Sequence, residues 1–386
     1  MRIAHIVLND FTRDSRVQKF ATTTGREHDA TVVALSGEGL ASEEAGVGFH
    51  ISRIGMFSKP TGRLAVLLRK IGLHRPWTAV VLIEFVWRTV WRFGRHDVWH
   101  CNDIEALLVG IIAKFFRRKL LLVYDCHEFE AELNAQSPFK GRVIRRLERR
   151  FLPWVSEVIT VSPSIAAAYK ERYNVERVTL IRNVPHCKPP SADPVDLHKK
   201  FDIPATARIA IYQGAFIPNR GLEQTLSAFD EIPSDALHVV LMGYGALQPM
   251  VERAAASRTN IHFQPAVPYD QILRHTAGAD FGLLSVRSTC LSYLYCLPNK
   301  LFEYIQAGLP ILSNNLPDCA EILAKYNVGE VAQDGLTASA IKSFAQRLDK
   351  FPAEGFGLAQ AELNWDREEE KVRALYARVE ASLGTR

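Results

Sequence analysis

Apolar residues in this chain fall into short strand-like runs that alternate with longer stretches in which they recur every three or four positions. In the first half the runs lie at 2–8, 30–35, 49–54, 97–101, 120–125, 157–161 and 178–182. Helical spacing occupies the intervals, among them 15–25, 103–116, 140–152 and 164–173. Strand, helix and strand in regular succession predict a parallel, doubly wound α/β sheet. The pattern breaks over 184–206, where Pro185, Pro189, Pro190 and Pro204 fall without periodicity, as in an interdomain linker.

Alternation restarts at Ile209. Strands are expected at 209–214, 238–242, 261–264, 281–285, 310–313 and 328–332. Helices are expected at 221–231, 246–256, 270–278, 299–307, 318–326 and 337–348, followed by a terminal amphipathic helix from Asp366 to Leu383. The expected organisation is a first domain over 1–183, a linker over 184–206, a second domain over 207–365 and a last helix over 366–386. Two Rossmann-like domains imply a cleft between them, with ligands at the carboxyl ends of strands.

Composition supports this division. A chain of 386 residues is too long for one ordinary core. Its six cysteines are scattered, with no zinc spacing, as for buried thiols in a reducing compartment. No run approaches the ~20 apolar residues that cross a bilayer. The opening residues read as a strand and not as a signal peptide, so a cytoplasmic location is expected. The net charge of +5 is unevenly spread. Residues 1–190 carry 29 Lys and Arg against 19 Asp and Glu, and the remainder carries 18 against 23. The basic half therefore calls for an anionic partner, either a membrane surface or a phosphate-bearing substrate. Nucleic acid is disfavoured, because no reading helix, finger or RNA-recognition motif accompanies the charge.

Candidate chemistry gathers at strand ends. Leu297-Pro298-Asn299-Lys300-Leu301-Phe302-Glu303-Tyr304 reads as a turn and a helix start, with Asn299 as N-cap and Gly308 as the stop. A helix opening there presents unpaired N–H groups and a positive dipole end, a place for phosphate, with Glu303 one turn further in. An ordinary helix connection that binds nothing fits the same residues. Gln213 to Gly221 links a strand to its helix: Gly214 permits close backbone approach, and Arg220 can pair with a diphosphate. Gly243 and Gly245 form a weaker glycine turn. In the first half, Arg16 in the first turn of its helix opposes the dipole and asks for an anion, unless it is simply solvated. Asp103 and His127 follow two further strands; a histidine beside carboxylates serves as base or as hydroxyl donor, or is a plain loop residue.

Several classes are disfavoured. There is no Gly-x-Ser-x-Gly elbow, no dinucleotide fingerprint or P-loop opening either domain, and no Asp-x-Asp for a bridging metal. Arg142, Arg145, Arg146, Arg149 and Arg150 share one helical face, and Trp87 and Trp91 lie next to Arg88, Arg92 and Arg95. That combination suits an interfacial membrane contact, and equally a solvated face over a core stripe.

Taken in order, Asp14-Ser15-Arg16-Val17, Val123 to Glu128, Val161-Ser162-Pro163-Ser164, Ile181 to Pro185, Tyr212-Gln213-Gly214, Asn219 to Glu223, Met242 to Gly245 and Leu297 to Tyr304 resemble a GT-B glycosyltransferase of the retaining family 4, or group 1. The resemblance spans nearly the whole chain. It implies two Rossmann-like domains facing a cleft, a last helix crossing back to the first domain, a nucleotide-sugar donor held by the second domain and a glycan or lipid-linked acceptor held by the first. Carried over by position, Glu303 would bind the ribose, Arg220 would neutralise the diphosphate, and Asn299, Lys300 and Leu301 would line the donor turn. Gly214, Gly243 and Gly245 would border the nucleotide, His127 would face the donor sugar and Asp103 the acceptor. No cofactor or metal is implied.

Two positions depart from the family pattern. Tyr295 stands where a first carboxylate, eight residues before Glu303, is usual, and Ala215 stands where a further basic residue is frequent. Lys300 and Arg16 are expected to compensate. A catalytically silent binding module and a sugar-nucleotide epimerase are the alternative functions on the same fold.

Overall fold

The computed structural model describes residues 1–12, 14–56, 74–187 and 193–384. Its first sheet contains β1 (Arg2–Ile6), β2 (Asp29–Leu35), β3 (Glu43–Ala45), β4 (His50–Ile54), β5 (Val98–Asn102), β6 (Leu121–Cys126), β7 (Glu157–Thr160) and β8 (Val178–Leu180). They lie in the order β3-β4-β2-β1-β5-β6-β7-β8, with β3 antiparallel to β4 and the other pairs parallel. The second sheet contains β9 (Arg208–Ala215), β10 (Leu237–Tyr244), β11 (Ile261–Pro265), β12 (Phe281–Leu284), β13 (Ile311–Asn314) and β14 (Gly329–Ala332). It is parallel throughout, in the order β11-β10-β9-β12-β13-β14. The central strands are buried along their length because helices cover both faces, which is why they read as continuous apolar runs.

Strand order reverses beside β1 in one sheet and beside β9 in the other. A crevice opens at each reversal, because the neighbouring connections leave on opposite faces. The two domains turn these strand ends toward each other.

Three features differ from the expectation. The edge strand β3 is Glu-Glu-Ala with all three residues exposed, so it carries no apolar alternation to read. The segment expected to be a linker contains a helix, Leu197–Phe201, capped by the Asp196 side chain and docked on the second domain through Val195 N–H to Arg274 O at 2.9 Å. Residues 188–192 of that segment lie outside the described residues. A further helix, Ala353–Glu362, precedes the last one and stays with the second domain, where Gln360 Nε2 donates to Ile305 O at 2.9 Å.

The last helix, Trp365–Gly384, crosses back to the first domain. Its fully buried Trp365 meets Phe20 edge-on at 5.5 Å, and Glu368 accepts from the Arg182 amide at 3.1 Å. Tyr376 hydroxyl lies 2.7 Å from His100 Nδ1 inside the first domain.

Candidate functional site between the domains

On the second domain, β9 and β10 end side by side at Gly214 and Gly243, paired in register. A Cβ on Gly243 would sit 1.9 Å from Gly214 O, and Gly214 has φ +125°, so neither position accepts a side chain without moving backbone. Gly245, at φ +147°, packs tightly on the Phe216 backbone, where its Cβ would be 2.5 Å from the carbonyl oxygen. Bare backbone at these strand ends leaves a cavity of about 310 Å³, bordered by Gly214, Gly243, Arg220, Asn299, Lys300 and Glu303.

Two cations enter that cavity. Arg220 donates from Nε to Tyr293 Oη at 3.2 Å, and its guanidinium lies 4.6 Å from the centre of that ring. Lys300 extends along Gly214, with its Nζ 3.8 Å from the centre of the Tyr212 ring. Burial and the neighbouring Arg220 charge bring the Lys300 ammonium down to about 7, against the opposing pull of Glu303. Two clustered, desolvated cations form a site that gains most from an anion.

Glu303 is held by a short relay. Gln213 Nε2 donates to its carboxylate, and Gln213 Oε1 accepts from Thr276 Oγ1 at 2.7 Å. Burial raises the Glu303 carboxyl, while Gln213, Lys300 and Lys19 pull it back. Lys19 comes from the first domain, buried, with its ammonium bonded to Asn183 Oδ1 at 2.8 Å and Val184 O at 2.7 Å.

The expected helix covers Asn299–Ala307, but its cap differs from the expectation. Pro298 occupies the cap position with extended backbone, and Asn299 is the first helical residue. Freed from capping, the Asn299 side chain reaches across the cleft and accepts from Asn183 Nδ2 at 3.0 Å. Leu301 belongs to the core: its side chain is fully buried and its amide is turned back onto Pro298 O at 3.0 Å. The amides of Asn299 and Lys300 remain as the first donors of the helix, without acceptors one turn earlier.

On the first domain, Arg16 and Asp125 form a buried bidentate pair, with Nε and Nη2 donating at 2.9 and 2.7 Å. Arg16 Nη1 donates to Ile181 O at 3.0 Å. Asp125 thus supplies Arg16 with an anion from the protein itself, while Arg16 still borders the interdomain cleft. Asp125 also stands 3.5 Å from His100 Nε2 and 3.5 Å from His127 Nε2. Burial alone would raise the Asp125 carboxyl, but Arg16, His127 and His100 hold it well below the usual carboxylate range.

His127 lies between that carboxylate and Asp103, whose Oδ1 is 3.4 Å from Nδ1. Burial lowers the imidazole, and the two carboxylates outweigh it, so His127 is pushed up to about 9. It is a cationic donor at neutral pH. Asp103 takes a left-handed backbone, φ +65°, at the start of its helix. Behind it, buried Glu130 is pushed upward by desolvation and by Asp103 and Glu105, and keeps its proton. A second cavity, about 500 Å³, is bordered by Asn9, Thr12, Ser15, Arg16, His127 and Asn299. Asn299 borders both cavities, so the cleft is continuous between the domains.

The two departures have different surroundings, one between the domains and one within the second domain. Tyr295 O accepts from Ser162 Oγ at 2.6 Å, and its ring faces Phe129 at 6.4 Å. Ser292 Oγ accepts from the Phe129 amide at 3.3 Å and donates to Glu128 at 3.2 Å. The stretch before the helix therefore braces the domains. Beside Ala215, the space along Gly214 is filled by Lys300.

Sequence reading missed Gln213, Thr276, Lys19, His100, Glu130 and Tyr376 as parts of this arrangement. Lys19 had a signal: it lies on the same helix face as Arg16, three residues on. His100 and Tyr376 had none, because 276 positions separate them.

Residues 18–184 match the family model of a glycosyl transferase 4-like domain, and residues 207–351 that of glycosyl transferases group 1. A sequence comparison with curated proteins gives no match. Sucrose-phosphate synthase from Thermosynechococcus elongatus is similar in structure, with a TM-score of 0.77 at 16% identity over 99% of this chain and 100% of that one. HepE from Anabaena, solved with UDP-glucose, has a TM-score of 0.72 at 15% identity over 98% and 100%. A UDP-forming α,α-trehalose-phosphate synthase from Burkholderia vietnamiensis has a TM-score of 0.68 at 12% identity over the whole of both chains. At such identities the likeness is one of fold: two parallel-sheet domains and a C-terminal helix. With both domain models matched in order on that fold, the chain belongs to the group 1 glycosyltransferases of GT-B architecture.

Proposed function

We propose that this enzyme transfers a hexosyl group, with retention, from a nucleoside-diphosphate sugar to a hydroxyl of a glycan or lipid-linked acceptor in polysaccharide or glycolipid assembly. The observation that carries the reading is the convergence of Arg220 and Lys300 on the glycine-floored cavity beside Glu303. Breaking the glycosidic bond moves negative charge onto the departing diphosphate. A guanidinium, an ammonium and the first amides of the helix Asn299–Ala307 stabilise that charge. The fixed carboxylate of Glu303 suits a ribose diol. HepE, a structural neighbour, was solved with UDP-glucose, which supports a donor of this class.

His127, charged and held between Asp103 and Asp125, suits a hydrogen bond to a donor-sugar hydroxyl. In retention with a same-face attack, the leaving phosphate oxygen takes the acceptor proton as the new bond forms. A strong protein base is then unnecessary. Arg220 and Lys300 supply the positive charge that a metal would otherwise bring to the diphosphate, so the reaction is proposed to run without one.

The test is a thermal-shift screen with UDP-, GDP-, ADP- and CMP-sugars, followed by transfer assays with the donor that stabilises. A glycoside product supports the reading. An epimerised donor, or binding with no turnover for any acceptor, would assign the fold to the alternative functions.

A further inference from the structure

The helix His74–Phe93 has a buried face that includes Phe85, Thr89 and Phe93, and its opposite face is also apolar. Val80, Ile83, Trp87 and Trp91 follow at helical spacing and are exposed, Trp91 to 82% and Ile83 to 68%. The neighbouring helix Asp103–Phe116 adds Ile112, Phe115 and Phe116, the last 71% exposed. Together Ile83, Trp87, Val90, Trp91, Ile112 and Phe116 line an open groove of about 490 Å³ with no polar lining residue among the described residues. A water-facing patch of this kind marks an interaction surface.

What covers it is indicated by the charge around it. Phe115 and Phe116, an edge-on pair at 5.6 Å, separate the apolar groove from a second recess of about 610 Å³. That recess is lined by Arg118, Arg177, Lys114, Phe115 and Trp154. Arg117, Arg118 and Lys119 are exposed directly after the phenylalanines. The Arg117 guanidinium lies beside Gly94, where a Cβ would be 3.4 Å from Nε, so the cationic rim joins the ends of both helices. On the far side, helix Pro138–Phe151 turns Arg142, Arg146, Arg149 and Arg150 to solvent. An apolar groove with indoles at its edge, next to a cationic recess, matches acyl chains beneath anionic headgroups. No helix among the described residues is long and apolar enough to cross a membrane, so the contact is with its surface.

We infer that this face docks the first domain onto an anionic lipid bilayer, by insertion of Trp87, Trp91 and Phe116 and by headgroup pairing of Arg117, Arg118 and Lys119. The inference names a partner for the proposed transferase, yet vesicle binding is read without donor or acceptor, so its outcome is independent of that reading. The full chain is mixed with vesicles of phosphatidylcholine alone, or of phosphatidylcholine with phosphatidylglycerol, and pelleted. Binding to the anionic vesicles, weakened by salt and accompanied by a blue shift of tryptophan emission, is expected. Trp91→Ala with Phe116→Ala lowers the partition by roughly tenfold or more. Arg117→Glu with Arg118→Glu lowers it by at least about fivefold per lost cation. These positions are on the surface, so unchanged melting of the variants keeps the test clean. Equal pelleting with and without phosphatidylglycerol, or none with either, overturns the inference. So does a concentration-dependent dimer, abolished by the Trp91 and Phe116 variant, in a chain that ignores vesicles: the face would then be covered by a second copy.

Discussion

Arg16 and Asp125, 109 positions apart, meet as a bidentate pair whose side chains are 4% and 0% exposed. Asp125 is the hub of the first domain's half of the cleft, because the same carboxylate faces both His100 and His127. Removing one partner of such a pair strands a buried charge. Asp125→Asn is expected to destabilise the protein by about 3–5 kcal/mol, measured by urea unfolding. Since the folded carboxyl is held below its usual value, this contribution is full above about pH 4 and fades as pH falls through the folded value. Unchanged stability in the variant would count against the hub.

The imidazole of His127 titrates late. Its folded value, about 9, lies above the unfolded one, so its stabilising contribution is complete below about pH 6.5 and disappears as pH rises through 9. Turnover should fall along an alkaline limb near the same pH. Asp103→Asn removes one raising charge and should move that limb toward neutrality, as should the His127 ring signals in an NMR titration. A limb that stays in place would remove His127 from the donor-sugar role.

Lys300 behaves in the opposite sense. With its ammonium near 7 it is largely neutral at pH 8, and a bound diphosphate raises it again. Nucleoside diphosphate binding at pH 8 should therefore take up protons, up to about one per site if Lys300 is the only group responding. Calorimetry in buffers of different ionisation enthalpy reads this directly, and Lys300→Met should abolish the uptake. Affinity should decline as pH climbs above 7.

Arg220 and Glu303 should separate kinetically. Arg220→Met removes charge stabilisation of the leaving group and should lower kcat by about 10²–10³. Glu303→Gln should mainly raise the donor KM, because ribose contacts serve ground and transition states alike. Chelation with EDTA should leave the rate unchanged. A rate abolished by EDTA and restored by a divalent ion would transfer the neutralising role from Arg220 and Lys300 to a metal.

Much of this molecule is legible in its sequence. Helix 103–116 was readable from its apolar period and the end of helix 299–307 from its glycine stop, and two Rossmann-like halves followed from alternation. That Arg220, Lys300 and Glu303 border one cavity follows from strand ends in parallel sheets lying at one edge, whatever the partner domain does. The cap at Pro298 was misread, since local preference favours Asn there and only the opposite domain offers its side chain a better partner in Asn183.

What the one-dimensional pattern determined, then, was which residues belong to each face and each strand end, because periodicity and turn chemistry act over a few neighbours. Tertiary structure alone decided which charges neutralise one another and which apolar face stays wet. Arg16 finding Asp125, Tyr376 finding His100, and Trp91 left uncovered beside Phe116 all depend on how distant elements dock. Burial and Coulomb energies vary steeply with that docking, and no local pattern encodes it.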